Sequence, residues 1–318
     1  MGVGRSCVRG LRVCNRNSDL LRKSLRPSSF RPAMDRGDHT NRRIGFDTGM
    51  GSPRMERLAL LSHRLEEDVE RANSILEQAN QIVVLTGAGV SAESGIPTFR
   101  GRGGLWRSRR PEELATPEAF EESPELVWEW YQWRRRLIAE CSPNAGHQAL
   151  ARLALKKDGV TLITQNVDGL HSRAARTEAK ALNIPDAQAA FPLEVHGAIN
   201  RDRCSLCDRL TDAVSHFQAG PPQCNDCGGP LRPDVVWFGE SLDPIIIGAA
   251  QEAALRADVC LVVGTSALVH PAAGLPSMTL RAGGLLIEVN LEATTLTNQA
   301  AVSLQGRSAS LLPRVIKA

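Results

Sequence analysis

From Leu65 onward the apolar positions fall into two regular periods. Leu65, Val69, Ala72, Ile75, Leu76 and Ala79 recur at helical spacing on one face, with Glu66, Glu67, Asp68 and Arg71 turned away, which predicts an amphipathic helix. The helix leads into Gln81 to Thr86, a short, almost wholly apolar run that reads as a buried strand. Similar runs recur at Gly159 to Thr164, Asp258 to Gly264 and Leu285 to Val289. Helical segments at Val127 to Ala139, His147 to Lys157, Ile246 to Arg256 and Ala272 to Ala282 lie between or beside them. This alternation predicts an α/β fold, a Rossmann-like parallel sheet with helices on both faces. No internal repeat is evident. The longest apolar runs are well short of the roughly 20 residues needed to span a bilayer, so no membrane association is expected.

Composition changes this picture at the N-terminus. Residues 1 to 55 hold many Arg, little acid and no sustained apolar period, which reads as a disordered or targeting arm ahead of a folded part at 56–318. The arm also fits a mitochondrial transit peptide, its first six residues fit a myristoylation pattern, and an upstream misplaced start codon fits as well. A cytoplasmic location is expected, with a mitochondrial one as the alternative. The formal net charge is only +3 and much of the Arg excess lies before Asp47, so the folded part gives no electrostatic argument for nucleic acid. Of eight cysteines, Cys7, Cys14, Cys141 and Cys260 are scattered, which suits a reducing compartment better than a disulfide framework.

The other four form two pairs. Cys204 and Cys207 have a two-residue spacing, as do Cys224 and Cys227, and this arrangement points to one closed, structural zinc site in a small zinc-ribbon module at about 196–240. Four thiolates leave no open position at which a metal could activate water. Zinc ribbons also occur in nucleic-acid binders, but the stretch from Cys204 to Cys227 is mixed in charge with a single aromatic, Phe217, so no specific nucleic acid is expected. The flanking parts, 56–195 and 241–318, would form the nucleotide-binding domain.

After the first strand, Gly87-Ala88-Gly89-Val90-Ser91-Ala92 satisfies a dinucleotide glycine fingerprint with Ala in its third position. Glycines let backbone approach a pyrophosphate, and a helix N-terminus would supply donors to it. A hydride-transferring dehydrogenase would also need an acid at the end of the second strand. Glu112 and Glu113 have the distance but sit in a Pro-flanked polar stretch. A Gly- and Pro-punctuated segment, Glu93 to Gly101, follows the glycines and suggests a lid.

These motifs, with Ile96-Pro97-Thr98-Phe99-Arg100, Gln165-Asn166-Val167-Asp168-Gly169-Leu170-His171 and His196-Gly197, closely resemble the sirtuin signature in its order, over about Ile82 to Leu312. The resemblance implies an NAD-consuming protein-lysine deacylase acting on acyl-lysine proteins or peptides. In that family the acyl oxygen attacks the ribose carbon bearing nicotinamide. By the same resemblance, Ile96, Asn166 and Asp168 would line the nicotinamide pocket, Phe99 would shield the reacting face, Arg100 would order the lid over the cofactor, and Trp106 would bind the cofactor. Gln165 would contact the ribose, and His196 would be the general base that frees a ribose hydroxyl to attack the imidate intermediate, a task suited to an imidazole near neutral pH. Gly264, Thr265, Ser266, Asn290, Glu292 and Ser308 would complete the NAD site. His147, His171 and His216 read as structural or solvent-facing. Between His171 and His196 the chain departs from the family's usual Arg-Ala-Gly opening with Arg173-Ala174-Ala175 and a polar, Ala-rich stretch, which reads as a surface loop insertion.

Two further segments bear on the substrate. Val235, Trp237, Phe238 and Gly239, within Val235 to Glu240, resemble the strand that pairs with the substrate peptide. After Ser123, which reads as a cap, and Pro124, an aromatic-rich helix places Tyr131 and Arg134 three apart on one face. Sirtuins that favour acidic acyl groups carry a Tyr and an Arg with this spacing, which implies a deacetylase and desuccinylase. A mono-ADP-ribosyltransferase using the same NAD site remains the alternative.

Overall fold

Helix α1 (Pro53–Gln78) opens with Pro at its first position, where a missing N–H is tolerated. The computed structural model to which it belongs describes residues 53–98, 109–213 and 219–317. The helix starts well ahead of Leu65 and includes the last residues assigned by composition to the arm. No glycine and no further proline interrupts it, so local propensity favours its continuing upstream of Leu65. Val69, Ala72 and Leu76 are the buried face expected of it.

The chain then runs through β1 (Ile82–Thr86), the single turn α2 (Gly89–Ala92), α3 (Pro111–Leu114), α4 (Pro117–Glu122), α5 (Pro124–Glu140) and α6 (Ala145–Lys156). It continues through β2 (Val160–Thr164), α7 (Leu170–Ala181) and β3 (Leu193–Glu194) to a second set of strands, β4 (Gly197–Cys204), β5 (Leu210–Asp212) and β6 (Leu231–Val235). It closes with α8 (Pro244–Arg256), β7 (Val259–Val263), α9 (Leu275–Arg281), β8 (Leu285–Asn290), β9 (Val302–Gln305) and α10 (Ser308–Val315).

The main sheet is parallel with strand order β3-β2-β1-β7-β8-β9, Ile82 lying beside both Val160 and Val259. Every residue of β1 and β7 is buried, as strands covered on both faces require. Ile82 and Val84 pack with Val69, Leu150 and Leu311 of α1, α6 and α10 on one side. Val83 and Leu85 pack with Ala250 and Leu275 of α8 and α9 on the other. Each fully buried aliphatic side chain here contributes about 1.5–3 kcal/mol. Two edge strands, β3 and β9, add to the four that apolar runs predict. The helix expected over Ala272 to Ala282 begins as a tight turn at Ala272–Gly274 and becomes α-helical only at Leu275. The first half of the stretch read as a surface loop after His171 is instead part of α7, which buries Ala174, Ala175 and Ala179, and the part from Leu182 on is irregular apart from a tight turn at Gln188–Ala190. Glu178 of α7 accepts from Arg152 Nε of α6 at 2.6 Å.

In the second, antiparallel sheet, of order β5-β4-β6, the register of β4 on β6 shifts between Ala198 and Asp202. This bulge frees strand carbonyls, and Arg135 of α5 takes them: its Nε donates to Ile199 O at 2.7 Å and its Nη2 to Arg201 O at 3.2 Å, beside the fully buried Asp202 carboxylate. Arg135 thereby ties the aromatic helix to the small sheet. A third core, with Phe120, Trp130, Tyr131, Ile199, Val235 and Trp237, fills the space between them.

Candidate active site

Moving out from β1 the chain steps one way to β2 and β3, then returns to build β7, β8 and β9 on the other side. The strand order therefore reverses between β1 and β7, where open α/β sheets form a crevice at the strand C-termini. The loops after the two strands meet there backbone to backbone. Gly89 N donates to Gly264 O at 2.8 Å, and a Cβ on Gly89 would lie 2.7 Å from the Gly264 backbone. The glycines are thus demanded by packing between loops. The expected helix N-terminus is only the turn α2, and the N–H groups of Gly89, Val90 and Ser91 all donate to protein carbonyls.

Below this crevice lies a buried polar floor. Ser91 Oγ donates to Asp168 Oδ2 at 2.7 Å, and Leu170 N donates to Asp168 Oδ1 at 2.8 Å. Asn166 Nδ2 donates to Gly87 O at 3.0 Å and to Ser91 Oγ at 3.2 Å. Burial pushes the Asp168 carboxyl upward, against these hydrogen bonds. With its proton committed to Asp168, Ser91 accepts from His147 Nε2 at 3.3 Å, and His147 Nδ1 in turn accepts from Asn144 N. His171 Nε2 lies 3.0 Å from Thr86 Oγ1, whose proton goes to Thr164 Oγ1. Both imidazoles are buried, as a structural role predicts, and their ring centroids are 4.7 Å apart. Burial depresses His147 to about 4 and His171 well below the ordinary value, so both are neutral.

His196 follows β3 at the rim of this floor. Its Nδ1 lies 3.0 Å from Gln165 O, a carbonyl that can only accept, so the ring proton sits on Nδ1 and Nε2 presents a lone pair. Burial lowers its proton affinity, partly offset by that hydrogen bond. A neutral imidazole with a free lone pair can take a proton from a hydroxyl placed against it.

Two cavities converge on this group. One, of about 630 Å³, is lined by Gly87, Ala88 and Gly89, by Gly264, Thr265 and Ser266, by Asn290 and Glu292, and at its far end by Ser308. The other, of about 310 Å³, is lined by Ser91, Ile96, Asp168, Tyr131, Arg134, Val235, Trp237, Phe238 and Gly239. Ala88, Gln165, Asn166, Val269 and His196 belong to both walls. A long ligand and a second, narrower one can therefore meet beside the His196 ring. In the larger cavity Ser266 Oγ is buried without a partner among the described residues, a hydroxyl open to a polar ligand. Glu288, buried in β8, was not singled out in the sequence. It accepts from Thr297 Oγ1 at 2.6 Å and Ser303 Oγ at 3.0 Å, and from Asn290 Nδ2 at 3.1 Å, so it holds the loop that follows Asn290. Glu93 is another such residue: it accepts from Ala309 N at 2.8 Å and Ser308 Oγ at 3.3 Å across 215 positions of chain.

In the smaller cavity Tyr131 and Arg134 lie side by side, both buried. Arg134 packs 4.9 Å from the Trp130 ring and 5.2 Å from that of Tyr131. Burial raises the Tyr131 phenol, more than the Arg134 charge lowers it, so the phenol stays protonated. Ser123 occupies the N-cap of α5 as expected, but its side chain makes no capping bond. Val235 ends β6, and the following residues form a turn, not the expected strand: Val236 N donates to His196 O, Phe238 N to Ala115 O, and Gly239 has φ of 89°. Phe238 remains half exposed at the mouth.

The thiols of Cys204, Cys207, Cys224 and Cys227 all lie within 4.8 Å of one another, with 3.4 Å between Cys204 and Cys227 and 3.8 Å between Cys207 and Cys224. A tetrahedron with bonds of about 2.3 Å has edges of about 3.8 Å, so the four fit zinc, and their separations are too long for disulfides. Phe99, Arg100, Trp106, His216 and Phe217 lie outside the described residues, as does the arm up to residue 52.

Comparison with known proteins agrees with this geometry. The Sir2 family model matches residues 87–271. NAD-dependent protein deacylase 2 of Pyrobaculum aerophilum is 46% identical over 243 residues, 76% of this chain and 92% of that protein. A crystal structure of a Sir2 homolog–NAD complex superposes with a TM-score of 0.70 at 42% identity, over 78% of this chain and 92% of the other. A Sir2–p53 peptide–NAD+ complex does so at 0.65 and 30%, over 77% and 95%.

Proposed function

Because the chain belongs to the Sir2 family, we propose that it removes both acetyl and succinyl groups from protein lysines, with NAD as the co-substrate and one structural zinc in the ribbon. At the coarser level it is an NAD-dependent protein deacylase. The convergence of two cavities on His196 carries the reading, because deacylation needs an acyl-lysine and a dinucleotide to meet beside one base. NAD would occupy the larger cavity and supply the ribose carbon that receives the acyl oxygen as nicotinamide departs.

The chain's own residues have defined tasks in this account. Asn166 and Asp168, held by Ser91 and Leu170 N, would hold the nicotinamide end, and Ile96 would pack against it. Gln165, whose Nε2 donates to Thr265 Oγ1 at 3.0 Å, would face the ribose, and Asn290, Glu292 and Ser308 the adenosine. His196, with its proton fixed on Nδ1, would accept a ribose hydroxyl proton at Nε2. The lid residues Phe99, Arg100 and Trp106 would cover the cofactor. The domain limits that follow are 56–195 and 241–318 for NAD binding and about 196–240 for the ribbon. The four cysteines would hold zinc without an open position, so the metal would support the fold.

Acyl selectivity follows from Tyr131 and Arg134. A guanidinium grips a carboxylate with up to two charge-assisted hydrogen bonds, and a protonated phenol adds a donor. The test is kcat/KM on one peptide sequence bearing acetyl-, succinyl- or butyryl-lysine. Succinyl turnover at an efficiency comparable with acetyl or above it is expected. Turnover of acetyl and butyryl with none of succinyl would remove the acidic-acyl assignment.

A further inference from the structure

Two groups against the Tyr131 hydroxyl can only donate. Trp237 Nε1 donates to it at 2.9 Å, and the Arg134 guanidinium is hydrogen-bonded to it as well. Neither an indole N–H nor a guanidinium can accept a proton. The hydroxyl oxygen therefore serves as the acceptor for these contacts, and its own hydrogen has to point to a different acceptor.

The indole that imposes this is itself held in place. The Arg232 guanidinium lies 3.3 Å from the centroid of the Trp237 ring, and Phe120 packs 5.3 Å away at a tilt. Arg232 Nη2 donates to Glu240 Oε2 at 2.9 Å and to Val235 O at 2.8 Å, while Glu240 Oε2 also accepts from Trp237 N at 2.8 Å. Burial opposes ionisation of Glu240, but its bonds to Arg232 and Trp237 N together with the charges of Arg232 and Arg203 outweigh that and hold its carboxyl below the ordinary value. Glu240, Arg232 and the Trp237 ring thus form one clamp, which aims the indole N–H at the hydroxyl.

We propose that Trp237 is a positioning residue for acyl selectivity: its indole N–H fixes the Tyr131 hydroxyl as a donor, so that Tyr131 and Arg134 both present donors to the acyl group. This deepens, and rests on, the acidic-acyl reading given above. A succinyl carboxylate brings acceptors for both of these donors. An acetyl methyl brings none. Selectivity thereby depends on a residue that need not touch the carboxylate.

A double-mutant cycle on the holoenzyme tests this. Trp237→Phe and Tyr131→Phe are made singly and together, and kcat/KM is measured on matched succinyl and acetyl peptides with saturating NAD. A neutral hydrogen bond of about 0.5–1.5 kcal/mol corresponds to roughly a 2- to 13-fold fall in the succinyl-over-acetyl ratio for Trp237→Phe, appearing mainly in KM for the succinyl peptide. With Tyr131→Phe already present, the same change should move the ratio less than about twofold. Should Trp237→Phe fail to fold, 3-benzothienylalanine at position 237 keeps the bicyclic ring against Arg232 and removes only the N–H. Additive effects in the two backgrounds, or an unchanged ratio in the benzothienyl protein, would overturn the inference while leaving the acidic-acyl reading intact. Unchanged succinyl turnover in Arg134→Met would overturn both.

Discussion

Arg134→Met replaces a buried guanidinium with an apolar chain of similar length that suits the space between Trp130 and Tyr131. Two stability effects oppose each other. The cation–π contacts are lost, while the cost of burying a charge, which already lowers the proton affinity of Arg134, is relieved. Neither dominates, so the melting temperature should change little. The catalytic effect should be large and selective. Each hydrogen bond to a charged group is worth about 1.5–3 kcal/mol, so succinyl-peptide efficiency should fall roughly 10- to 150-fold for one lost bond and further for two. Acetyl-peptide efficiency should change only a few-fold, or rise. Arg134→Lys should recover part of the succinyl activity, because it keeps the charge but not the two-pronged geometry. The assay is steady-state kcat/KM on one peptide carrying either acyl group. Equal losses on both peptides would make Arg134 a packing residue, and unchanged succinyl efficiency would refute the carboxylate-binding argument.

Other expectations follow from the floor, the base and the ribbon. His196→Ala should slow deacylation roughly 100- to 10,000-fold with zinc content and circular dichroism unchanged, and wild-type-like turnover would remove His196 from the mechanism. Since burial lowers the proton affinity of His196, the acid limb of kcat/KM should have its midpoint below the ordinary histidine value of about 6.5, and a midpoint above 7 would contradict the assignment. His147 takes up a proton at about 6.5 when unfolded but only at about 4 when folded. Folding stability should therefore fall by about 3 kcal/mol as pH drops from 6.5 to 4, and then level off for this group. Denaturant titrations of His147→Gln should show that slope reduced, and an unreduced slope would refute it. Elemental analysis should find about one zinc per chain, lost with the small sheet in Cys204→Ser or Cys227→Ser, and metal-free protein that kept both its ribbon and its activity would exclude a structural metal.

How much of this was legible in the sequence depended on whether a residue's partners were local. Strands buried on both faces announce themselves as unbroken apolar runs, so β1, β2, β7 and β8 were readable. β3 has two residues and β9 alternates Val and Leu with Ser and Gln, too little signal to find either. Helix α7 carries little helical signal because, beyond Leu170 and His171, its buried face is made of alanines and a paired glutamate instead of large aliphatics. The cysteine pairs were readable because metal geometry imposes a spacing on the chain. The floor was not: Ser91, His147 and Asp168 meet across 56 and 77 positions, and nothing near His147 in the chain shows what it touches. Arg135 is the sharpest case. It stands within a run of three arginines whose spacing does not tell which of them is buried, and it enters the bulge of β4 beside Asp202.

The central claim is that an acyl-lysine and NAD meet at His196 and that the acyl group leaves the lysine. The most direct measurement is to incubate the full chain with NAD and a succinyl- or acetyl-lysine peptide and follow every product by mass spectrometry. One nicotinamide and one O-acyl-ADP-ribose are expected for each lysine freed, and in His196→Ala free lysine and O-acyl-ADP-ribose should fall together roughly 100- to 10,000-fold while nicotinamide release is confined to about one per enzyme. Nicotinamide release that attaches ADP-ribose to protein while the acyl-lysine stays intact would contradict it.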